Sequence, residues 1–280
     1  MIGIFLRRAA LLVAAATLGS LGSVSGRAEP PISRKTEIAL ISSAASSNRP
    51  DCVVQRDKAR FDYPLVRTSR RLAEGVPIKI VALGSSSTYG AGGSTSAASY
   101  PSRLAAELAQ SFPNNDITVL NRGVNGDEAA DMLARLDRDV LSEKPDLILW
   151  QVGTNSVIRD QILQPQLLRE GLLRMKAIGA DVILIDPQYA PKVISKPNAN
   201  DMVSLIATTA KAEHVGVFHR FAVMRQWHEE QHLSFESFIS PDGLHMNDWS
   251  YACLGRWIGM AIVEAGTRPI ATAAIGSVLH

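Results

Sequence analysis

The chain has 280 residues, of which 46% are hydrophobic and 20% charged, an ordinary globular composition with enough length for one substantial core. Its formal charge of +2 comes from the first 28 residues, because the net charge is −1 without Arg7, Arg8 and Arg27. A near-neutral chain has no electrostatic attraction for polyanions, which argues against nucleic acid as a partner.

The N-terminus has the pattern of a secretory signal peptide. Arg7 and Arg8 precede an apolar run over residues 9–18, and small residues continue to residue 28. The run is shorter than the roughly 20 residues of a membrane-spanning helix, so cleavage is favoured over a permanent anchor. The sequence therefore predicts a signal peptide over residues 1–28 and a periplasmic or secreted protein without a stable membrane span.

Residues 29–75 are predicted to be a spacer followed by a helix that ends near Gly75. The two cysteines, Cys52 and Cys253, could pair in an oxidising compartment and tie this segment to the last helix. Two buried free thiols are the alternative. Two cysteines without clustered partners make a poor metal site, and no metal or other cofactor is expected.

From residue 76 onward, short apolar runs alternate with helical patterns. The runs rich in β-branched residues predict strands at residues 78–84, 117–123, 146–153, 181–187 and 215–220. Helices are predicted at residues 100–112, 128–141, 166–179, 199–214 and 247–265. Such alternation is typical of a parallel sheet covered on both faces. Residues 76–280 are thus predicted to form one α/β domain, a three-layer α/β/α sandwich around a mostly parallel sheet of about five strands.

The residues that follow each strand are the place to look for a site, because parallel sheets bind ligands at the carboxyl ends of their strands. The first such segment, residues 84–93, reads GSSSTYGAGG. A Walker-type phosphate loop is excluded because Ala91 stands where its lysine would be. A dinucleotide fingerprint is excluded because Ser86 replaces its second glycine. A serine on a tight strand-to-helix turn suits a nucleophile instead.

A serine nucleophile needs a base and an orienting carboxylate. Asp242 and His245 lie three residues apart in SPDGLHMND, a spacing that allows one imidazole nitrogen to meet the carboxylate while the other faces away. The alternative is that Asp242 caps the last helix and His245 lies in its first turn.

Four segments in chain order resemble the motifs of the SGNH (GDSL-type) hydrolases: ALGSSSTYG, NRGVNG, VGTNS and DGLH. The resemblance implies that Ser86 is the nucleophile, with His245 as its base and Asp242 orienting the histidine. It also implies an oxyanion hole made by the N–H groups of Ser86 and Gly123 and the side chain of Asn155, and a sheet with flavodoxin-like strand order. No cofactor is implied.

Two positions depart from the family pattern. Ser85 stands where the family has an acid before the nucleophile, and Ser156 where it has an acid after the asparagine. Neither position supplies triad chemistry in the family, so the departures concern hydrogen bonding within the turns.

A competing motif is H-E-x-x-H, formed by His228, Glu229 and His232. On one helix face these histidines could bind zinc, with Glu229 as general base, which would make the protein a metalloprotease. No third ligand is identified. A further alternative is a catalytically silent envelope binding module of the same fold.

The favoured interpretation is an exported serine esterase. Export favours an acylated polysaccharide or lipid of the envelope as substrate. The aromatic content of 6% and the lack of a long apolar lid segment favour short acyl groups such as acetyl. Tyr189, after the fourth strand, is expected to line the substrate cleft.

Overall fold

The computed structural model describes residues 51–53 and 60–268. The predicted signal peptide and residues 29–50 of the predicted spacer lie outside the described residues. Among the helices that are described, none combines the length and apolar character needed to cross a bilayer.

Five parallel strands form the central sheet in the order β2-β1-β3-β4-β5. They are β1 (Ile78–Gly84), β2 (Ile117–Gly123), β3 (Leu147–Gln151), β4 (Asp181–Ile185) and β5 (Gly216–Phe218). Strands β1, β3, β4 and β5 are almost wholly buried, which explains their continuous apolar sequences. The predicted parallel sheet and its flavodoxin-like order are confirmed.

The helices form the outer layers of the sandwich. In chain order they are α1 (Val66–Glu74), α2 (Ser86–Tyr89), α3 (Tyr100–Ser111), α4 (Ala129–Ala134), α5 (Leu136–Asp139), α6 (Thr154–Ile158), α7 (Pro165–Ala177), α8 (Pro191–Ile194), α9 (Ala199–Glu213), α10 (Arg220–Glu229), α11 (Phe235–Phe238) and α12 (Asp248–Thr267). Helix α12 packs against α1 and α3, and α7 packs against α9. The three-layer α/β/α fold predicted from the sequence is therefore confirmed.

The helix predicted over residues 128–141 is broken into α4 and α5 at Arg135. The Arg135 side chain is buried and donates to the carbonyl oxygens of Gly84 (3.2 Å) and Arg122 (2.9 Å). It also pairs with the Asp127 carboxylate at 2.7 Å. The helical pattern continues through this position in the sequence, but the chain turns so that the guanidinium reaches the carboxyl ends of β1 and β2.

The hydrophobic core extends N-terminal of residue 76, the predicted start of the domain. Phe61 and Leu65 are fully buried in the same core as the strands. The Arg67 side chain donates to Asp146, a buried residue just before β3, at 2.6 Å. Cys52 forms a disulfide with Cys253 of α12, with 5.6 Å between their Cα atoms.

Candidate active site

Ser86 is the first residue of α2, on a tight turn after β1. The turn is held by Gln151, which is fully buried at the end of β3 and whose Oε1 accepts from the N–H (2.9 Å) and hydroxyl (3.0 Å) of Ser85. Ser85 thus supplies turn hydrogen bonds at the position where the family has an acid. Gly84 is required here because a Cβ would overlap the Thr88 hydroxyl and Gln151. In the described part of the chain, the Ser86 N–H donates to no group.

The structure brings Ser86, His245 and Asp242 into one hydrogen-bonded chain. His245 Nε2 lies 2.8 Å from Ser86 Oγ, and His245 Nδ1 lies 2.5 Å from Asp242 Oδ2. Asp242 Oδ1 accepts from the Ser240 hydroxyl and from the N–H groups of Leu244 and His245, at 2.7, 2.9 and 2.9 Å. Partial burial acts to raise the pKa of Asp242, but the hydrogen bonds from His245, Leu244 and Ser240 hold it well below its usual range.

The Asp242–His245 turn is positioned independently of the last helix. An antiparallel bridge between Ile239 and Met246 closes the turn. Helix α12 begins later, and Asn247 caps it by accepting from the Ser250 N–H at 3.1 Å. The alternative that Asp242 caps the last helix is therefore wrong.

Asn155 lies in α6, which follows β3. Its Nδ2 donates one proton to the Asp127 carbonyl at 2.8 Å, which leaves the second amide proton available. The N–H of Gly123 instead donates to Asn121 Oδ1 at 2.9 Å, so this predicted oxyanion donor is occupied. Gly123 is needed for close packing, since a Cβ there would overlap the backbone N of Tyr89.

Gly126, three residues further along, has the features that Gly123 lacks. Its N–H makes no hydrogen bond within the described residues, and its φ of +84° suits glycine. Its carbonyl accepts from Arg159 at 3.0 Å, and the next residue, Asp127, accepts from Asn155. The sequence analysis missed Gly126, although the Asn-Gly pair in NRGVNG is a turn signal that points to it.

Tyr189 lies in an aromatic cluster. Its ring packs edge-on against Phe221 at 5.1 Å and stacks on Phe235 at 6.0 Å, and its hydroxyl donates to Glu229 at 2.9 Å. Burial, and then the Glu229 carboxylate, raise the pKa of Tyr189. Within the described residues, no hydrogen bond or ring contact joins Tyr189 to Ser86, so its place in the cleft stays a prediction.

The H-E-x-x-H residues do not form a zinc site. Helix α10 ends at Glu229, and His232 lies beyond it with a φ of +57°, so the two histidines do not share a helix face. His228 stacks on Phe235, and its Nδ1 lies 2.9 Å from the Leu233 carbonyl. In the part of the chain that the structure describes, no three His, Cys, Asp or Glu side chains are grouped to hold a metal. The metalloprotease alternative finds no support here.

Two cavities adjoin the segments that carry these residues. One, of about 460 Å³, adjoins α2 and is lined by Tyr89, Gly90, Ala91, Gly93, Thr95, Ser96, Asn121 and Gly123. The other, of about 340 Å³, adjoins the Asp242–His245 turn and is lined by Gly92, Pro191, Phe235, Glu236, Ile239, Ser240, Pro241, Gly243 and Asn247. The cavities are thus lined by residues of the same loops that carry Ser86 and His245, although neither residue lines them.

The arrangement of serine, histidine and aspartate at the carboxyl end of the sheet agrees with a family match. The Non-GDSL lipase-like family matches residues 51–268, which is most of the chain. The chain belongs to this family. Its members are SGNH-type enzymes, so the resemblance stated above is confirmed.

Individual relatives are esterases. An arylesterase of Vibrio mimicus is 24% identical over 170 residues, which cover 59% of this chain and 79% of the relative. An acetylxylan esterase of Geobacillus stearothermophilus is 30% identical over 90 residues, covering 28% of this chain and 41% of the relative. The predicted enzyme class, a carboxylic ester hydrolase, is confirmed.

A solved structure shares the fold. The crystal structure of a two-domain esterase active on acetylated mannans matches with a TM-score of 0.67 at 18% identity, over 77% of this chain. This chain spans 58% of that one, less than two thirds of its length.

Proposed function

We propose that this Non-GDSL lipase-like protein is an exported serine esterase that removes short acyl groups, such as acetyl, from an envelope polysaccharide. The observation that carries the proposal is the chain from Ser86 Oγ to His245 (2.8 Å) and on to Asp242 (2.5 Å). A hydroxyl is a weak nucleophile unless a base within hydrogen-bond distance removes its proton, and His245 is that base.

The protonation states follow from the contacts. The Asp242 carboxylate is ionised because its pKa is held low, and an ionised carboxylate only accepts hydrogen bonds. His245 Nδ1 therefore carries the proton that faces Asp242, and the Nε2 lone pair faces Ser86. His245 takes the Ser86 proton as Oγ attacks the ester carbonyl, and the tetrahedral intermediate carries the negative charge on the former carbonyl oxygen.

We assign the oxyanion hole to the Ser86 N–H, the Gly126 N–H and the free amide proton of Asn155. The two N–H groups have no partner among the described residues, whereas the Gly123 N–H is bonded to Asn121. His245 then gives its proton to the departing alcohol oxygen, and an acyl-Ser86 ester remains. A water, deprotonated by His245, attacks this ester, and the acid leaves as Ser86 regains its proton.

The substrate class draws on three supports. One relative is named for acetylxylan, and a structural neighbour acts on acetylated mannans. The cavities lined by the loops that follow Ser86 and that hold His245 measure about 460 and 340 Å³, a size that suits a small acyl group and part of a sugar chain. The predicted signal peptide would bring the enzyme to such polymers.

The test is hydrolysis of p-nitrophenyl acetate, butyrate and octanoate, and acetate release from acetylated xylan and mannan, by the mature chain. Ser86→Ala should abolish every activity and prevent labelling by a fluorophosphonate. Ser142→Ala, a change of an exposed serine remote from the turn, is the matched control and should leave both unchanged. Activity that survives Ser86→Ala would overturn the serine mechanism. A preference for octanoate with no acetate released from either polymer would overturn the substrate class.

A further inference from the structure

Arg220, the first residue of α10, is a fully buried cation beneath the candidate active site. Its Nη1 donates to the Ser87 hydroxyl at 2.9 Å, and its Nε donates to the Asp186 carbonyl at 2.9 Å. Its Nη2 lies 3.5 Å from the Thr154 hydroxyl. Ser87 adjoins the proposed nucleophile and Thr154 adjoins Asn155, so one side chain contacts two of the three segments that carry the proposed oxyanion donors.

The contacts continue to the segment that carries the histidine. The Thr154 hydroxyl donates to Gln188 Oε1 at 2.9 Å, and Gln188 Nε2 donates to the Leu244 carbonyl at 3.4 Å. Leu244 immediately precedes His245. Gln188 is buried, so this path is shielded from water.

A guanidinium has five donors and no acceptor, so it determines the direction of every hydrogen bond in this path. Thr154 must accept from Arg220, and its own proton is then directed to Gln188. That in turn orients the Gln188 amide, with its oxygen toward Thr154 and its nitrogen toward Leu244. A neutral residue at position 220 would leave each of these groups free to reverse, and buried polar networks weaken when one member is unsatisfied.

Arg220 remains charged despite its burial. Burial lowers its pKa to about 10, with the Asp186 carboxylate acting in the opposite direction, so the guanidinium is protonated at neutral pH. Within the described residues, no carboxylate lies within ion-pair distance of it. A buried charge without a close counter-ion costs folding free energy, and packing alone is better served by an apolar side chain.

We propose that Arg220 is a positioning residue for the esterase reaction. Its guanidinium contacts Ser87, beside the proposed nucleophile, and Thr154, beside Asn155, and it reaches the histidine segment through Thr154 and Gln188. These contacts hold the nucleophile, the Asn155 amide and the histidine at the relative positions that the reaction needs. The proposal rests on the proposed function. It assigns Arg220 no contact with substrate, because the contacts that the structure gives it are to protein groups behind the turn.

The test compares Arg220→Met and Arg220→Lys with the wild type, using kcat and KM for p-nitrophenyl acetate per fluorophosphonate-titrated site. Arg220→Met should lower kcat per site by about 10- to 100-fold with little change in KM, because misplaced groups affect the transition state most. Arg220→Lys should recover part of the loss, since it keeps the charge but lacks the planar fork with which the guanidinium reaches acceptors in three directions.

Arg67→Met is the matched control for lost stability. It removes a guanidinium that binds Asp146 near the amino ends of the strands, away from the site, and should lower the Tm without changing kcat per site. If Arg220→Met is as active per site as Arg67→Met, the proposal is overturned.

If Arg220→Met is insoluble, the double variant Ser87→Ala/Thr154→Val removes both hydroxyls that the guanidinium contacts and should lower kcat per site at least about 10-fold. Wild-type kcat in this variant would also overturn the proposal. Ser86→Ala, measured in parallel, separates the two hypotheses: an active Ser86→Ala enzyme refutes the proposed function, whereas an inactive one beside a fully active Arg220→Met enzyme refutes only the role of Arg220.

Discussion

Gly92 lies directly against His245: a Cβ built on Gly92 would come within 2.7 Å of the His245 Cβ and within 2.6 Å of the Met246 carbonyl oxygen. Its φ of +85° is also a conformation that favours glycine. The loop that follows α2 is tied down by Ser94, whose N–H and hydroxyl donate to Asp248 at 2.7 and 2.5 Å. The glycine-rich run after the candidate nucleophile thus makes room for the candidate base.

Gly92→Ala should therefore reduce activity as well as stability. The new methyl group must displace the backbone around His245, and a displacement of about 1 Å at a catalytic group costs on the order of 100-fold in rate. Esterase assays and thermal unfolding measure the two effects. Gly75→Ala is the control, because Gly75 also has a positive φ of +66° but no atom within 4 Å of an added Cβ. It should cost about 1 kcal/mol and leave kcat unchanged; equal kcat in the two variants would contradict the role given to Gly92.

The sequence alone is sufficient to predict the features that depend on local pattern, namely the strands, the motif residues and the parallel topology. The strands over residues 78–84 and 117–123 were predicted to the residue, because apolar runs end where glycine turns begin. The three motif residues Ser86, Asp242 and His245 do meet in space. The parallel topology follows from the alternation of strands and helices.

Features that depend on distant partners could not be predicted. Gln151, at the end of β3, and Arg220, at the start of α10, contact the nucleophile turn from distant parts of the chain, and their sequence neighbourhoods carry no sign of it. Arg135 breaks a helix whose local pattern is continuous, because its guanidinium binds two strand ends. The choice between Gly123 and Gly126 depends on which N–H the Asn121 side chain occupies.

Asn155→Ala should lower kcat by about 100- to 1,000-fold with a small change in KM, as expected for a donor that acts mainly on the oxyanion. Steady-state kinetics with p-nitrophenyl acetate measures both kcat and KM. Asn115→Ala is the control: this asparagine donates to the Leu72 carbonyl at 3.4 Å, outside the site, and its loss should leave kcat unchanged. A kcat for Asn155→Ala within a factor of about two of the wild type would remove Asn155 from the oxyanion hole.

The Cys52–Cys253 bridge should stabilise the fold without contributing to catalysis. It closes a loop over a sequence separation of 201 residues, and removal of such a bridge typically costs about 2–5 kcal/mol. The double variant Cys52→Ser/Cys253→Ser should unfold at lower denaturant concentration with the same kcat at 25 °C. Non-reducing peptide mapping should recover the linked peptides from wild type. Free thiols on both cysteines of protein purified under non-reducing conditions would contradict the bridge.

Because of Asp242, the folding stability of the enzyme should decrease at acidic pH. Partial burial acts to raise its pKa, but hydrogen bonds from His245 and Leu244 outweigh this and lower the pKa from 3.8. A carboxyl whose pKa is lower in the folded than in the unfolded state stabilises the fold fully above its unfolded pKa. That stabilisation is lost as the pH falls through the folded pKa. Urea unfolding between about pH 5 and pH 3 should therefore show a steeper loss of stability for wild type than for Asp242→Asn.

Asp242→Asn should also lower kcat, by roughly 100- to 10,000-fold at neutral pH, because an amide does not accept a hydrogen bond from His245 Nδ1 as a carboxylate does. Ser240→Ala is a milder variant, because it removes one of the hydrogen bonds to Asp242 Oδ1 and leaves the carboxylate in place. Its pKa for Asp242 should lie between the wild-type value and 3.8, so its acid-dependent loss of stability should be smaller in total and should level off at a higher pH than in wild type. If the unfolding free energies of wild type and Asp242→Asn change by the same amount between about pH 5 and pH 3, the Asp242–His245 hydrogen bond does not persist in solution.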